Sequence, residues 1–214
     1  GLTLGGGYEL CAVADRVVAA AESYVGLVEV GVGVIPGAGG NKEMLIRGLE
    51  HLPVGVQVDT QPILNRIFET IATAKVATSA REAQEMGYLR PSDVIVVNKD
   101  HQLYEAKQVV LALEAAGYRA PEPALIPVAG PEGRAVLEMG AYGMFLGGWA
   151  TEHDLLIARK LAYVLTGGNV PAGTRVTEQY LLDLEREAFL SLLGTKKTQE
   201  RMVHLLKTGK PLRN

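Results

Sequence analysis

An α/β fold is the architecture that this sequence predicts, and three observations predict it. Over residues 1–118, short runs of β-branched and aromatic residues alternate with longer runs of helical apolar spacing, the pattern of strands connected through helices. Residues 119–134 then shift in composition, with four prolines and two glycines between Arg119 and Gly133, which marks a linker. From 135 to 214 helical spacing continues with no strand-like run between the helices, predicting a separate helical layer docked on the α/β part.

Each element has its own signal. Three consecutive glycines at 5–7 make a turn that residues with a Cβ cannot make closely, and 8–14 continue as a short helix. Residues 16–20 and 24–26 read as strands separated by Ala21, Glu22 and Ser23. Glycine and proline punctuate a loop over 31–40, after which a helix starts near Gly40 or Asn41 and carries Met44, Leu45 and Leu49 on one face. In 62–77, Ile63, Leu64, Ile67, Phe68, Ile71 and Ala72 form a helical stripe with one buried face. Ser79 has the character of an N-cap with Glu82 as capping-box partner, and the helix should stop at Gly87. A strand follows at 93–98 and a helix at 102–116, ending at Gly117. Beyond the linker, helices are expected at 135–144, 152–165, 178–193 and 198–206.

Composition excludes several classes of function. The 214 residues suffice for a substantial core, and 48% hydrophobic with 21% charged residues is ordinary for a globular protein. A net charge of -3 gives no electrostatic footprint for nucleic acid or an anionic membrane. No stretch approaches the roughly 18 uninterrupted apolar residues of a membrane span. The single cysteine, Cys11, cannot form an internal disulfide, which fits a reducing cytoplasm. The chain opens at Gly1 inside a strand-like run, with no signal-peptide features, so a preceding segment is expected.

Candidate chemistry concentrates in the first forty residues. The run Gly31-Val-Gly33-Val-Ile-Pro36 nearly matches a dinucleotide fingerprint, but proline replaces the last glycine and the acidic partner lacks a clear strand end. Gly37-Ala-Gly39-Gly40-Asn-Lys42 fails the same test and the phosphate-loop pattern as well. At Gly5, Gly6 and Gly7, by contrast, a helix follows at once. Its first N–H groups are unpaired, so the turn can either polarise a carbonyl as half of an oxyanion hole or serve as a plain connection. Glu9 lies in the first helical turn, where a carboxylate also suits an ordinary capping role. Glu29 sits between apolar neighbours, where its pKa would rise into the range useful for proton transfer. His51, His101, His153 and His204 have no metal-ligand spacing, and no metal site is expected. No serine lies in a nucleophile elbow.

Three stretches, taken in order, resemble the central part of the crotonase (enoyl-CoA hydratase/isomerase) superfamily: Leu4-Gly5-Gly6-Gly7-Tyr8-Glu9-Leu10, Asp15-Arg16-Val17-Val18-Ala19-Ala20, and the run from Gly26 to Gly40. Residues 77–87, 94–98 and the ending Leu205-Leu-Lys-Thr-Gly-Lys-Pro-Leu extend the resemblance. Residues 26–42, the proline-rich linker and 178–189 are similar to the hydratase region of bacterial 3-hydroxyacyl-CoA dehydrogenases, which carry it after an N-terminal NAD-binding part.

The resemblance implies the C-terminal part of a crotonase-like ββα fold followed by a helical C-terminal region. It implies hydration of trans-2-enoyl-CoA in fatty-acid β-oxidation, with Glu9 and Glu29 as the catalytic acids and Gly6 as an oxyanion-hole N–H. Gly5, Gly7, Pro36 and Gly37 would shape the substrate loop. The substrate is a CoA thioester, hydration needs no cofactor, and NAD is expected only in an upstream dehydrogenase domain. The second oxyanion N–H is expected upstream of Gly1. Val28 and the pair Asn41-Lys42 depart from the commoner family residues at those places. Two other readings carry different expectations: an enoyl-CoA isomerase, or a non-catalytic module in which Leu181, Leu184, Ala188 and Leu192 form a packing face toward the rest of a larger chain or an oligomeric partner.

Overall fold

The computed structural model describes residues 1–53 and 58–214. Its first strand, β1 (Leu2–Leu4), runs straight into helix α1 (Gly6–Ala12) through Gly5, whose φ of 56° is the left-handed conformation that glycine accepts without cost. Two more strands follow, β2 (Val18–Ala20) and β3 (Tyr24–Gly26). β3 lies parallel to β1, with Leu4 opposite Gly26. That pairing brings the C-terminal ends of two neighbouring parallel strands side by side, the edge where open α/β sheets present their ligand sites.

A 3-10 turn at Glu29–Val32 leads by a loop into α2 (Gly40–Leu49). Helix α3 spans Gln61–Ala72, then β4 (Val76–Ala77), α4 (Ala80–Met86), β5 (Val94–Val96) and α5 (Gln102–Ala115). β4 pairs antiparallel with β3, Ala77 opposite Val25, and β5 pairs parallel with β2. The expected helix over 62–77 is therefore shorter. Ala74 takes a φ of 50° and turns the chain, and Val76 and Ala77 complete the open edge of β3 instead. Helical apolar spacing cannot distinguish a last helical turn from a two-residue strand, because both place an apolar side chain on the core. At α4, Ser79 caps as expected, accepting from the Glu82 N–H, while the Glu82 carboxylate bonds the N–H and hydroxyl of Thr78 rather than closing the box on Ser79. The helix ends at Gly87, with φ 84°.

The proline-rich stretch holds more structure than a linker. β6 (Leu125–Pro127) pairs antiparallel with β7 (Arg175–Thr177), and α6 begins at Gly130 and reaches Leu146. Pro131 stands in the first turn of α6, where a missing N–H costs nothing, so it starts the helix instead of marking a break. β7 also separates α7 (Glu152–Leu165) from α8 (Glu178–Leu193), contrary to the expectation of helices without intervening strands. The chain closes with α9 (Lys196–Thr208).

One hydrophobic cluster joins these parts. It contains Leu27, Ile35, Leu45 and Ile71 together with Leu161, Leu165, Leu181 and Leu192. Helix α7 is its central rod, packed against α2, α3, α6 and α8. A capping box fixes its start, with the Thr151 hydroxyl accepting from the Asp154 N–H and the Asp154 carboxylate accepting from the Thr151 N–H. The carboxylate of Asp154 also accepts from Arg201 of α9 at 2.7 Å.

A second tie fastens α9 to the loop after β3. The Thr198 hydroxyl donates to the Gly33 carbonyl at 2.6 Å and lies 2.9 Å from His153 Nε2, from which it can then only accept. Burial and the Arg201 charge depress the His153 pKa, so the ring is neutral and its proton sits on Nε2. Thr198→Val keeps the shape but leaves a buried carbonyl and a buried ring N–H unpaired. A loss of about 1–3 kcal/mol is expected in urea unfolding; a loss below about 0.5 kcal/mol would show that these groups find other partners.

Candidate active site

The β1–α1 turn and the loop after β3 converge because their strands are paired. The Gly5 N–H donates to the Gly26 carbonyl at 2.8 Å, pinning the glycine turn to the end of β3. Glu29 follows three residues later, and its carboxylate comes to rest against Gly5: a Cβ added there would stand 3.1 Å from Glu29 Oε1. Glu9 lies in the first turn of α1, and a Cβ added at Gly6 would stand 3.9 Å from Glu9 Oε2. The two acids predicted from the sequence thus flank the Gly5-Gly6 turn. Gly6 and Gly7 lie at the start of α1, and their N–H groups have no hydrogen-bond partner among the described residues.

The acids are held differently. Glu9 is 5% exposed, and its Oε1 accepts from the N–H groups of Ala38 and Gly40 at 2.8 and 2.9 Å. Those amides belong to the loop that contains Pro36 and Gly37, so the loop orients the acid. Pro36 is buried and its carbonyl accepts from Asn41 Nδ2 at 3.0 Å. Gly37 is exposed on its outer side but packs inward on Phe189, whose ring would be 2.7 Å from an added Cβ. Gly7 is exposed, with open space where a side chain would be.

Both carboxylate oxygens of Glu29 are buried without a hydrogen-bond partner. Burial raises its pKa to about 7, the Glu9 charge pushes in the same direction, and the neighbouring backbone N–H groups of Glu29 and Val28 offset only part of the rise. A carboxyl raised in this way is protonated in the folded protein where the unfolded chain has already ionised. Its contribution to stability is therefore complete below about pH 4.5 and is lost as the pH rises through about 7. Glu29→Gln removes that loss. The melting temperature of the variant relative to the parent is expected to be higher at pH 8 than at pH 5, and a difference independent of pH would show that Glu29 ionises normally.

Sequence reading missed a third acid. Glu185 of α8 is fully buried, and its Oε1 accepts from the Gly39 N–H at 2.6 Å. Its signal was present, a glutamate on the same helical face as Leu181, Leu184, Ala188 and Leu192. That face is buried within this chain, against its own core. Nearby, Lys42 donates to Glu43 and, at 2.7 Å, to Glu178 of α8. Burial works against the Lys42 charge, but these bonds outweigh it and raise its pKa. The departure Asn41-Lys42 thus places one residue across the loop and the other in an ion pair, with neither touching Glu9 or Glu29 in a hydrogen bond.

Other sequence features fall outside the site. The dinucleotide-like run forms a 3-10 turn with Gly33 packed against Thr198, and it opens no helix, so it offers no cradle for a pyrophosphate. Among the described residues no group of three His, Cys, Asp or Glu side chains is placed to hold a metal, and no helix is long and apolar enough to cross a membrane. A groove of about 800 Å³ between α5 and β2 is lined by Val18, Leu103, Val109, Val110 and Tyr118 among others and includes neither acid. Asp15, Arg16 and Glu114 also line it, but Gly5, Glu9 and Glu29 do not.

Two parallel strands delivering acids to one glycine turn, backed by helices that pack on the same core, constitute the C-terminal part of a crotonase fold, and that is the fold of this chain. Over 99% of its length it superposes on a carnitinyl-CoA hydratase from Mycobacterium avium, with a TM-score of 0.52, 22% identity and 59% of that chain covered. A carnitinyl-CoA dehydratase from Mycobacterium avium 104 gives a TM-score of 0.53 and 20% identity, covering 99% of this chain and 60% of the other. In sequence the chain is 54% identical over 216 residues to the Bacillus subtilis (strain 168) protein named "Probable 3-hydroxyacyl-CoA dehydrogenase", covering 100% of this chain and 26% of that protein. The chain spans about a quarter of the length of the curated relatives it matches. No family model matches it.

Proposed function

We propose that this chain supplies the acid/base pair of an enoyl-CoA hydratase acting in fatty-acid β-oxidation. The observation that carries the reading is the placement of the Glu9 and Glu29 carboxylates on either side of the Gly5-Gly6 turn, with Glu29 inclined to hold a proton near neutral pH. In this reading the Gly6 N–H faces the thioester oxygen of a trans-2-enoyl-CoA, where negative charge grows as water attacks C3. Glu9, with Oε1 fixed by two amides, takes the water proton on Oε2. Glu29 gives its proton to C2 as the enolate collapses. The product is a 3-hydroxyacyl-CoA, and the pair is restored when a proton passes back from Glu9 to Glu29.

The named relative supports a wider assignment for the full-length protein. Its name denotes oxidation of a 3-hydroxyacyl-CoA, the product of the hydration proposed here, and the chain matches only about a quarter of it. NAD would bind elsewhere in such a protein, since no residues of this chain form a dinucleotide cradle at the one sequence that resembled it.

Incubation of the full-length protein with crotonyl-CoA tests the reading by loss of the conjugated thioester absorbance, and addition of NAD tests the coupled oxidation. Hydration of crotonyl-CoA is expected. Conversion of a 3-enoyl-CoA to its 2-enoyl isomer without hydration would replace the hydratase reading with an isomerase. Binding of neither thioester would favour a packing module.

A further inference from the structure

We infer that Glu185 is a positioning residue for Glu9, acting as a neutral carboxyl that locks the 36–40 loop. The inference rests on the hydratase reading for its kinetic consequence, though not for its geometry. Three successive amides alternate between two acids: Ala38 and Gly40 donate to Glu9, and Gly39 between them donates to Glu185. With Gly39 held at 2.6 Å by a fully buried side chain, the amides on either side are constrained to point at Glu9. Helix α8 thereby sets the orientation of an acid on α1 through the loop between them.

The protonation state follows from hydrogen-bond accounting. Asn41 donates its Nδ2 to the Pro36 carbonyl, which fixes the amide orientation and leaves Oδ1 as an acceptor. Glu185 Oε2 is buried and has no hydrogen-bond partner among the described residues. A proton on Glu185 Oε2 removes the charge from a buried carboxylate whose second oxygen no donor satisfies. Burial favours the same state and raises the Glu185 pKa to about 7; the Gly39 N–H opposes this, the Glu9 charge adds to it, and the Asn41 side chain and Lys42 N–H oppose it.

The full-length protein with Glu185→Ala and Glu185→Gln separates this from a merely structural role. Glu185→Ala removes the acceptor for Gly39, and kcat for crotonyl-CoA is expected to fall by about 10- to 100-fold with little change in KM, the mark of a misaimed acid. Glutamine retains an acceptor for Gly39 and the size and neutrality of a protonated glutamate, so it should recover most of that loss. Infrared difference spectra at pH 6, Glu185→Gln against parent, should show the disappearance of a protonated carboxyl C=O band. Unchanged kcat in the alanine variant, no recovery by glutamine, or no carboxyl band would each overturn the inference. If the alanine variant fails to fold, the infrared difference and the thermal melt of the glutamine variant still decide: no carboxyl band in the difference spectrum, where the Glu29 band cancels, or a melting temperature well below the parent at pH 6 overturns it. Absence of hydration in the parent protein would instead sink the hydratase reading and leave the infrared test of the lock standing.

Discussion

Glu29→Gln in the full-length protein is expected to lower kcat for crotonyl-CoA hydration by about 10²- to 10⁴-fold, the range for loss of a positioned proton donor. The same substitution should leave the fold intact. Glutamine has the size of a protonated glutamate, and both carboxylate oxygens of Glu29 are already without hydrogen-bond partners, so no protein contact is broken. The variant therefore isolates the proton from the shape. Glu9→Gln is expected to lose a similar factor for a different reason: its Oε1 still accepts from Ala38 and Gly40, but an amide cannot take the proton of the attacking water. The pair acts as a unit, and the double variant should be little worse than either single one, because losing either partner already breaks the relay. Both measurements are initial rates with crotonyl-CoA at neutral pH. Unchanged hydration in both single variants would remove these acids from the mechanism.

Much of this site was legible in the sequence because its parts are local. Three glycines followed by a glutamate suggest a turn with a helix behind it, and Glu29 among apolar neighbours suggests a carboxyl with raised proton affinity; α1 does follow the turn and burial does raise the Glu29 pKa, while the roles of the two acids rest on the proposal. The limits of helices α7 and α8 were legible too, since each has a threonine cap and apolar residues recurring at helical spacing. The remaining features depend on partners distant in sequence. β4 exists because β3 has an open edge, and β6 because β7 offers a partner edge far along the chain, as in the pairing of Ile126 with Val176. Neither strand is long enough to show a two-residue period of its own. Glu185 was hidden differently, in a face whose apolar residues suggested packing alone, and its partner Gly39 is 146 residues away. A buried acid in an apolar stripe is a local anomaly, but only the fold says which amide it meets.

The loop that aims Glu9 has a second dependence, on the absence of a side chain at Gly40, and Gly40→Ala is expected to cost about 10²-fold in kcat, the penalty for misplacing a catalytic group by roughly an ångström. A Cβ at this position would lie 2.8 Å from Leu27 Cδ2, 2.9 Å from Pro36 Cβ and 3.0 Å from Glu9 Oε1. Leu27 is fully buried and Pro36 is a rigid ring, so neither yields easily. Glu9 is the third neighbour, and it is also the acceptor of the Gly40 N–H, so the added methyl presses on the same oxygen that the amide must hold. Relief by moving the acid sacrifices catalysis, while relief by moving the backbone breaks the bonds from Ala38 and Gly40. Stability should fall as well, by about 1–3 kcal/mol for overpacking, measured by urea unfolding. Gly31→Ala provides the comparison, because an added Cβ there meets nothing within 4 Å and its φ is not positive. Equal rates for the two variants would show that the loop can shift around Gly40 without disturbing Glu9, and the alternating amide arrangement would then be a consequence of packing rather than the device that aims the acid.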